Sequence, residues 1–323
     1  MKKFLCLMLA VVLCVSLCGC GAKKTPGEMN VYVLSGPTGI GALNLWDKAE
    51  KGETINKYNF TLTGANDEII AAVSKGEADV AAVATNLASS IYNRTEGKVT
   101  VLAVNTLGVL YMLTNGEEIT SVANLKGKTI YSPGQGANPE YILRFVLKGN
   151  GLDPDNDVTI KFVSEGSELL TVWAQEKDAV IMAPQPVATM LGNNNENAKT
   201  VFDMSEEWGK ISTDSTLMMG CVIVNNEYLK NNKDAVDIFM DEYKESVEKA
   251  LSDIDTTAKL CVEKGIIPKE PVAKKAIPYC GLKFVSGEEM KKGLSGYLKV
   301  MFEANPKSVG GKLPEDNFYY VKK

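Results

Sequence analysis

The chain has 323 residues, with 35 Lys+Arg against 40 Asp+Glu, 45% hydrophobic residues and no histidine. That length suggests about two domains, and a net charge of −5 without a dense basic run makes nucleic-acid phosphates a poor partner. The lack of histidine excludes Ser-His-Asp triads, Cys-His pairs, imidazole metal sites and histidine general bases.

At the N-terminus, Lys2 and Lys3 form a basic region, and Phe4 to Leu17 an apolar stretch too short to span a bilayer comfortably. The stretch ends in Leu17-Cys18-Gly19-Cys20, which resembles the lipobox of bacterial lipoproteins, with Cys20 as the lipidated residue. The expectation is a cleaved leader over 1–19 and a short polar tether over 20–28, with an uncleaved anchor as the alternative. The mature protein would then sit outside the cytoplasmic membrane, held by acyl chains. Of the later cysteines, Cys221, Cys261 and Cys280 have the spacing of neither a disulfide framework nor a zinc site. Three buried thiols are expected, a Cys261–Cys280 disulfide being the alternative.

Beyond the tether, short apolar runs alternate with helical patterns, which predicts α/β units with mostly parallel sheets. Met29–Leu34 reads as a strand, and Ser35-Gly36-Pro37-Thr38-Gly39 as the turn into a helix over Ile40–Glu50. Asn59–Leu62 is a second strand, and Ala65–Lys75 a helix capped by Asn66 or Asp67. A turn at Gly76-Glu77-Ala78-Asp79 leads into the strand Val80–Ala84, after which Thr85-Asn86 opens the next helix. Val99–Val104 and Leu107–Thr114 are two further strands.

A second set of units follows. Lys128–Tyr131 is a strand, Ser132-Pro133-Gly134-Gln135-Gly136 a loop, and Asn138 to Lys148 a helix. Val158–Val163, Ser167–Glu176 and Ala179–Met182 read as strand, helix and strand, with Pro184-Gln185-Pro186 starting another helix. A polar loop at Asn193–Asn197 precedes the strand Leu217–Val224. The remainder is helical at Asn232–Ser252, Thr256–Lys264 and Ser286–Glu303. Two α/β halves joined by extended crossings near Leu110–Thr114 and Ser215–Gly220 predict a bilobal binding protein. Domain I would hold 29–113 plus 217–323, and domain II 114–216. Ligands of open α/β sheets bind beyond the carboxyl ends of the strands, so two such lobes would share one cleft.

Ser74-Lys75-Gly76-Glu77-Ala78-Asp79-Val80-Ala81 and Ala123-Asn124-Leu125-Lys126-Gly127-Lys128-Thr129-Ile130 carry a resemblance, supported by Gly151-Leu152-Asp153-Pro154 and Leu313-Pro314-Glu315-Asp316-Asn317-Phe318-Tyr319. Across the mature chain, these segments and their order resemble the solute-binding lipoproteins of ABC importers, of the type serving nitrate, sulfonates, taurine and thiamin pyrimidines. The resemblance implies a type II periplasmic-binding-protein fold: two Rossmann-like α/β lobes about a central cleft, with a helical C-terminal region. It further implies a monomer that clamps a small solute by hinge motion and hands it to a permease and its ATPase. No catalytic residue, cofactor or metal is expected.

Carried onto these positions, the resemblance makes Ser35, Gly36, Thr38 and Gly39 ligand candidates in the loop after the first strand. Asn66, and then Thr85 and Asn86, occupy the next strand ends. Ser132, Gly134, Gln135 and Gly136 supply the Gly-rich loop of the second lobe, and Gln185 the matching end of Ala179–Met182. Helix starts offer free N–H groups and partial positive charge to an anionic or polar group. Only Arg94 and Arg144 exist, neither in a strand-end loop, which disfavours an α-amino acid held by a bidentate guanidinium. Sulfonates, small anions and pyrimidine-like heterocycles remain, with Trp46, Tyr92, Tyr131 and Trp173 available either to stack a ring or to fill the core.

Gly127-Lys128-Thr129 imitates the end of a P-loop, but Val122 stands where the leading glycine is required. Fungal thiamin-pyrimidine precursor synthases share the expected fold, and the resemblance implies that such an enzyme needs a reactive histidine and clustered cysteines, which this chain lacks. A membrane-tethered sensor or partner-binding lipoprotein is the non-transport alternative.

Overall fold

A computed structural model describes residues 24–193 and 195–322. The expected leader and the lipidation site Cys20 lie outside the described residues. Of the expected tether, residues 24–27 run along the first lobe. The Gly27 N–H donates to Asn56 Oδ1 at 2.9 Å, and the Lys57 N–H donates back to Gly27 O at 3.0 Å.

Among the described residues, eleven strands follow in chain order: β1 (Glu28–Leu34), β2 (Lys57–Thr63), β3 (Val80–Ala84), β4 (Val99–Thr106), β5 (Leu110–Asn115), β6 (Thr129–Pro133), β7 (Thr159–Val163), β8 (Val180–Pro184), β9 (Ala198–Asp203), β10 (Gly220–Asn225) and β11 (Leu282–Ser286). They form two sheets, ordered β11-β4-β10-β3-β1-β2 and β7-β6-β8-β5-β9. This is the expected two-lobed α/β architecture.

The expectation of mostly parallel sheets does not hold, because both are mixed. β1 pairs parallel with β2 and β3, and β6 parallel with β7 and β8. β10 runs antiparallel to β3 and β4, and β5 antiparallel to β8 and β9. The cause is connectivity. β5 and β10 each start directly from a crossing between the lobes, so they begin at the end where β8 and β3 finish (Leu110 pairs with Pro184, Gly220 with Ala84). Residues 110–113, expected in domain I, pair in the second sheet.

β3 and β4 are buried along nearly their whole length, as internal strands of a sheet covered on both faces require. One face of the first sheet packs on the helices Leu43–Glu50, Lys233–Ser252, Ile254–Glu263 and Glu270–Ala276 around Phe239, Tyr243 and Cys261. The opposite face belongs to a larger core that continues into the second lobe through Tyr141, Trp208 and Tyr297. The helices Glu168–Gln175 and Val187–Asn193 cover the remaining face of the second sheet.

Some local expectations change. The first helix is split into Pro37–Ile40 and Leu43–Glu50. Neither Asn66 nor Asp67 caps Asn66–Lys75, whose N-cap is Ala65. β9, β11 and the helices Met204–Ile211 and Glu270–Ala276 add to the predicted elements. Cys221, Cys261 and Cys280 are all free and buried, and burial pushes the Cys261 thiol up to about 12. Among the described residues, no helix is long and apolar enough to cross a membrane.

Candidate functional site

The carboxyl ends of β1, β3 and β4 and the loop after β6 enclose a cleft of about 340 Å³ between the lobes. On the first lobe it is lined by Thr38, Asn66, Ala84, Asn86 and Thr106, at or just after strand ends, and by Ser90 in the second turn of the helix Thr85–Arg94. Gly136, Ala137, Asn138 and Pro139 face them from the second lobe, and Lys307 with Ser308 closes one side from the turn after Gly287–Ala304.

Three helices of eight or more residues begin at this cleft, and they differ in what they offer. Asn66–Lys75 carries Asp67 and Glu68 in its first turn, which offset its positive end. Asn138–Gly149 is closed by its own Glu140: Gly136 N–H donates to Glu140 Oε2 at 2.7 Å, and Arg144 Nε to Oε1 at 2.7 Å. Thr85–Arg94 has no side-chain cap and no acidic residue in its first turn. Its Thr85 N–H is taken by Met219 O at 3.1 Å, so the N–H groups of the residues that follow, with Lys307, are the positive features of a cleft lined by no carboxylate. Among the described residues no ion pair engages Lys307. A small anion placed there would meet unspent donors rather than competing acceptors.

Of the residues singled out from the sequence, Thr38, Asn66, Asn86 and Gly136 line this cleft together. The others are not among its lining residues. Thr85 is fully buried and its hydroxyl donates to Met218 O at 2.6 Å; Ser132 is fully buried and donates to Pro133 O at 3.0 Å. The Ser35 N–H donates to Thr63 O at 2.8 Å, and Gly36 forms the turn with φ 105°. Gly39 is packed so that a Cβ would lie 2.7 Å from Leu34 O. Gly134 has φ 78° beneath the Pro139 ring, and Gln135 points to solvent.

Gln185 lines a separate interlobe groove of about 580 Å³ with Tyr111, Tyr279 and Lys275. Its Oε1 accepts from the Thr189 hydroxyl at 2.7 Å and so serves the start of its own helix. The candidate stacking aromatics are committed elsewhere: Trp46 stacks on Phe60, Tyr92 packs on Phe318, Tyr131 lies under Lys161, and Trp173 is buried.

Sequence reading passed over Ser90, Thr106, Asn138 and Lys307. Asn138 carried one usable signal, an Asn-Pro pair opening a helix at a strand-end loop. Lys307 carried none, since only the path of the C-terminal helix brings it to the cleft.

Several solved structures share this fold. An ABC transporter protein from Parabacteroides distasonis is 21% identical, with 92% of this chain and 99% of that one covered at a TM-score of 0.78. The periplasmic aliphatic sulphonate binding protein SsuA of Escherichia coli is 12% identical, with 93% and 94% covered at 0.72. The periplasmic nitrate-binding protein NrtA of Synechocystis PCC 6803 is 10% identical, with 81% and 74% covered at 0.56. No curated protein sequence matches the chain. Residues 63–256 match the family described as NMT1/THI5 like. The chain thus belongs to the NMT1/THI5-like family and has the two-lobed fold of ABC-importer solute-binding proteins.

Proposed function

We propose that this protein is the extracytoplasmic solute-binding component of an ABC importer, tethered through lipid on Cys20, which captures a small anionic solute in the interlobe cleft. The observation that carries this reading is the uncapped, acid-free start of Thr85–Arg94 opening beside Lys307 into a cleft lined by no carboxylate. No aromatic side chain lines that cleft, which favours a compact anion over a stacked heterocycle. The names of the sulphonate- and nitrate-binding neighbours support the same class. Thr38, Asn66, Asn86, Thr106 and Lys307 would surround the anion. Closure of the lobes would report occupancy to the permease, because open and closed forms present different surfaces.

Thermal unfolding against organic sulfonates, carboxylates, nitrate and bicarbonate tests this. A solute bound only by the native state adds about 2.7 kcal/mol at a hundredfold excess over Kd. Asn86→Asp, which sets a carboxylate at the free helix start, is expected to weaken binding of the stabilising anion at least about tenfold. A stabilisation that survives this change unaltered would place the solute elsewhere, and no stabilisation by any anion would favour a partner-binding role.

A further inference from the structure

We infer that Asn305 is a positioning residue for Lys307, tying the place of that ammonium at the cleft to the second lobe through Tyr141. This rests on the cleft reading given above and adds a link between lobe contact and anion affinity at the same site.

Lys307 stands on the single 3₁₀ turn Pro306–Val309 that follows Gly287–Ala304. Pro306 has no N–H, so the Lys307 N–H is the first donor of the turn, and Asn305 Oδ1 accepts it at 3.0 Å. That bond alone is an ordinary helix cap. The other end of the same amide is not needed for capping: Nδ2 donates to Tyr141 Oη at 3.0 Å. Tyr141 is buried in the second-lobe helix Asn138–Gly149, one turn after Asn138 at the cleft wall. One side chain thus joins the Lys307 backbone to the opposite lobe.

The far end of the turn is held by the first lobe. Ser89 Oγ and Asn93 Nδ2 both donate to Val309 O at 2.8 Å, and Asn93 Nδ2 donates also to Lys312 O at 2.7 Å. Gly310 closes the turn at φ 86°, where a Cβ would lie 2.8 Å from Ser90 Cα. Ser89, Ser90 and Asn93 belong to Thr85–Arg94, the helix whose start opens into the cleft. The Lys307 turn is therefore clasped by helices of both lobes, and Asn305 is its grip on the second. Lys307 is exposed, so its reach is set mainly by the backbone that carries it. A shift of Tyr141 relative to the first lobe acts on that backbone through Asn305. By reciprocity, an anion that engages Lys307 favours the arrangement in which the Tyr141 bond is made.

The test is a double-mutant cycle read by calorimetric binding of ethanesulfonate and of nitrate to the full chain. Tyr141→Phe removes the hydroxyl that Asn305 holds and leaves the ring and the Lys307 cap in place. It is expected to weaken binding of at least one probe about fivefold, the size of one net hydrogen bond. Lys307→Met removes the charge and is expected to weaken binding further; in that background Tyr141→Phe is expected to change nothing more. Asn305→Ala, which breaks both links, is expected to match or exceed Tyr141→Phe and to be equally silent beside Lys307→Met. A merely structural tyrosine would lower the unfolding temperature without producing this pattern. An affinity indifferent to Tyr141→Phe or to Lys307→Met, or a Tyr141→Phe effect of the same size in both backgrounds, would overturn the inference. If Asn86→Asp still weakens binding in those cases, the cleft reading stands and only this inference falls. Binding of neither probe, or binding indifferent to Asn86→Asp, removes the cleft reading and the inference with it.

Discussion

Asp79 closes the turn before β3 and holds three strands together. Its Oδ2 accepts the Asn30 N–H at 2.8 Å, its N–H donates to Asn30 O at 3.0 Å, and its carbonyl accepts from Asn225 at 2.9 Å. The Gly-Glu-x-Asp motif is thus a joint between β1, β3 and β10 rather than part of the cleft. Burial pushes the Asp79 carboxyl above its ordinary 3.8, with the Asn30 N–H pulling the other way. A raised folded pKa means that the folded chain holds this proton more tightly than the unfolded one. The group's contribution to stability is therefore complete at low pH and declines as pH rises through the unfolded and then the folded pKa. Asp79→Asn keeps an acceptor for Asn30 but cannot ionise. The stability of the natural chain relative to this variant is expected to fall as pH rises through the ordinary aspartate value and just above it, measured by urea unfolding at each pH. A constant or rising difference would rule the assignment out. The same scale explains the uneven outcome at the cleft. Thr85 and Asn86 are neighbours, yet one hydroxyl turns into the core and the other side chain into the cleft. Composition marks the loop; the phase of the chain within it decides which residue meets solvent.

Helix ends show how an element can spend a feature that its sequence advertises. The Gly134-Gln135-Gly136 loop leading into Asn138–Gly149 reads as an anion cradle, but Glu140, itself fixed by Arg144, already fills it with a carboxylate. Arg144 is shared with Asp155 at 2.7 Å, which holds the guanidinium in place. Removing that internal cap through Glu140→Ala is expected to cost about 1–2 kcal/mol in chemical denaturation. An unchanged midpoint would mean that water replaces the carboxylate at Gly136. Strand positions were largely legible because β1, β3, β4 and β8 are apolar runs bounded by turn residues. β9 was not, since its pattern is mostly half-exposed, and an edge strand needs few apolar side chains. Strand direction was beyond reach for a different reason: it depends on where the chain crosses between lobes, which no local pattern encodes. Lys307 and Asn138 belong to the same category, because their place at the cleft is set by packing between elements remote in sequence.

The two lobes are tied by more than their crossings. Gly287–Ala304 follows β11 of the first sheet, yet its Tyr297 ring lies 5.7 Å from that of Trp208, which in turn lies 4.1 Å from Phe145 of the second lobe. Trp208 is fully buried and donates to Ser215 Oγ at 2.9 Å, while Asn305 donates to Tyr141 Oη at 3.0 Å across the same seam. Elsewhere the lobes touch through lighter contacts, Tyr111 Oη to Tyr279 O at 3.0 Å and Lys275 to Asn193 at 2.8 Å. Exposing those rings would cost far more than breaking two partly exposed hydrogen bonds, so the aromatic seam resists separation of the lobes more strongly than the Tyr111–Tyr279 side. A shared core also makes the lobes unfold as one unit. Trp208→Ala is expected to remove about 3–5 kcal/mol. Trp46 sits on the first lobe and Trp173 in the second, so Trp173→Phe and Trp46→Phe, each added to Trp208→Ala, leave one reporter per lobe. Urea transitions followed by either fluorophore are expected to coincide and to lie equally below the natural chain's transition followed by far-ultraviolet dichroism. A first lobe whose transition stays in place while only the Trp173 signal moves would show that the seam does not couple the lobes.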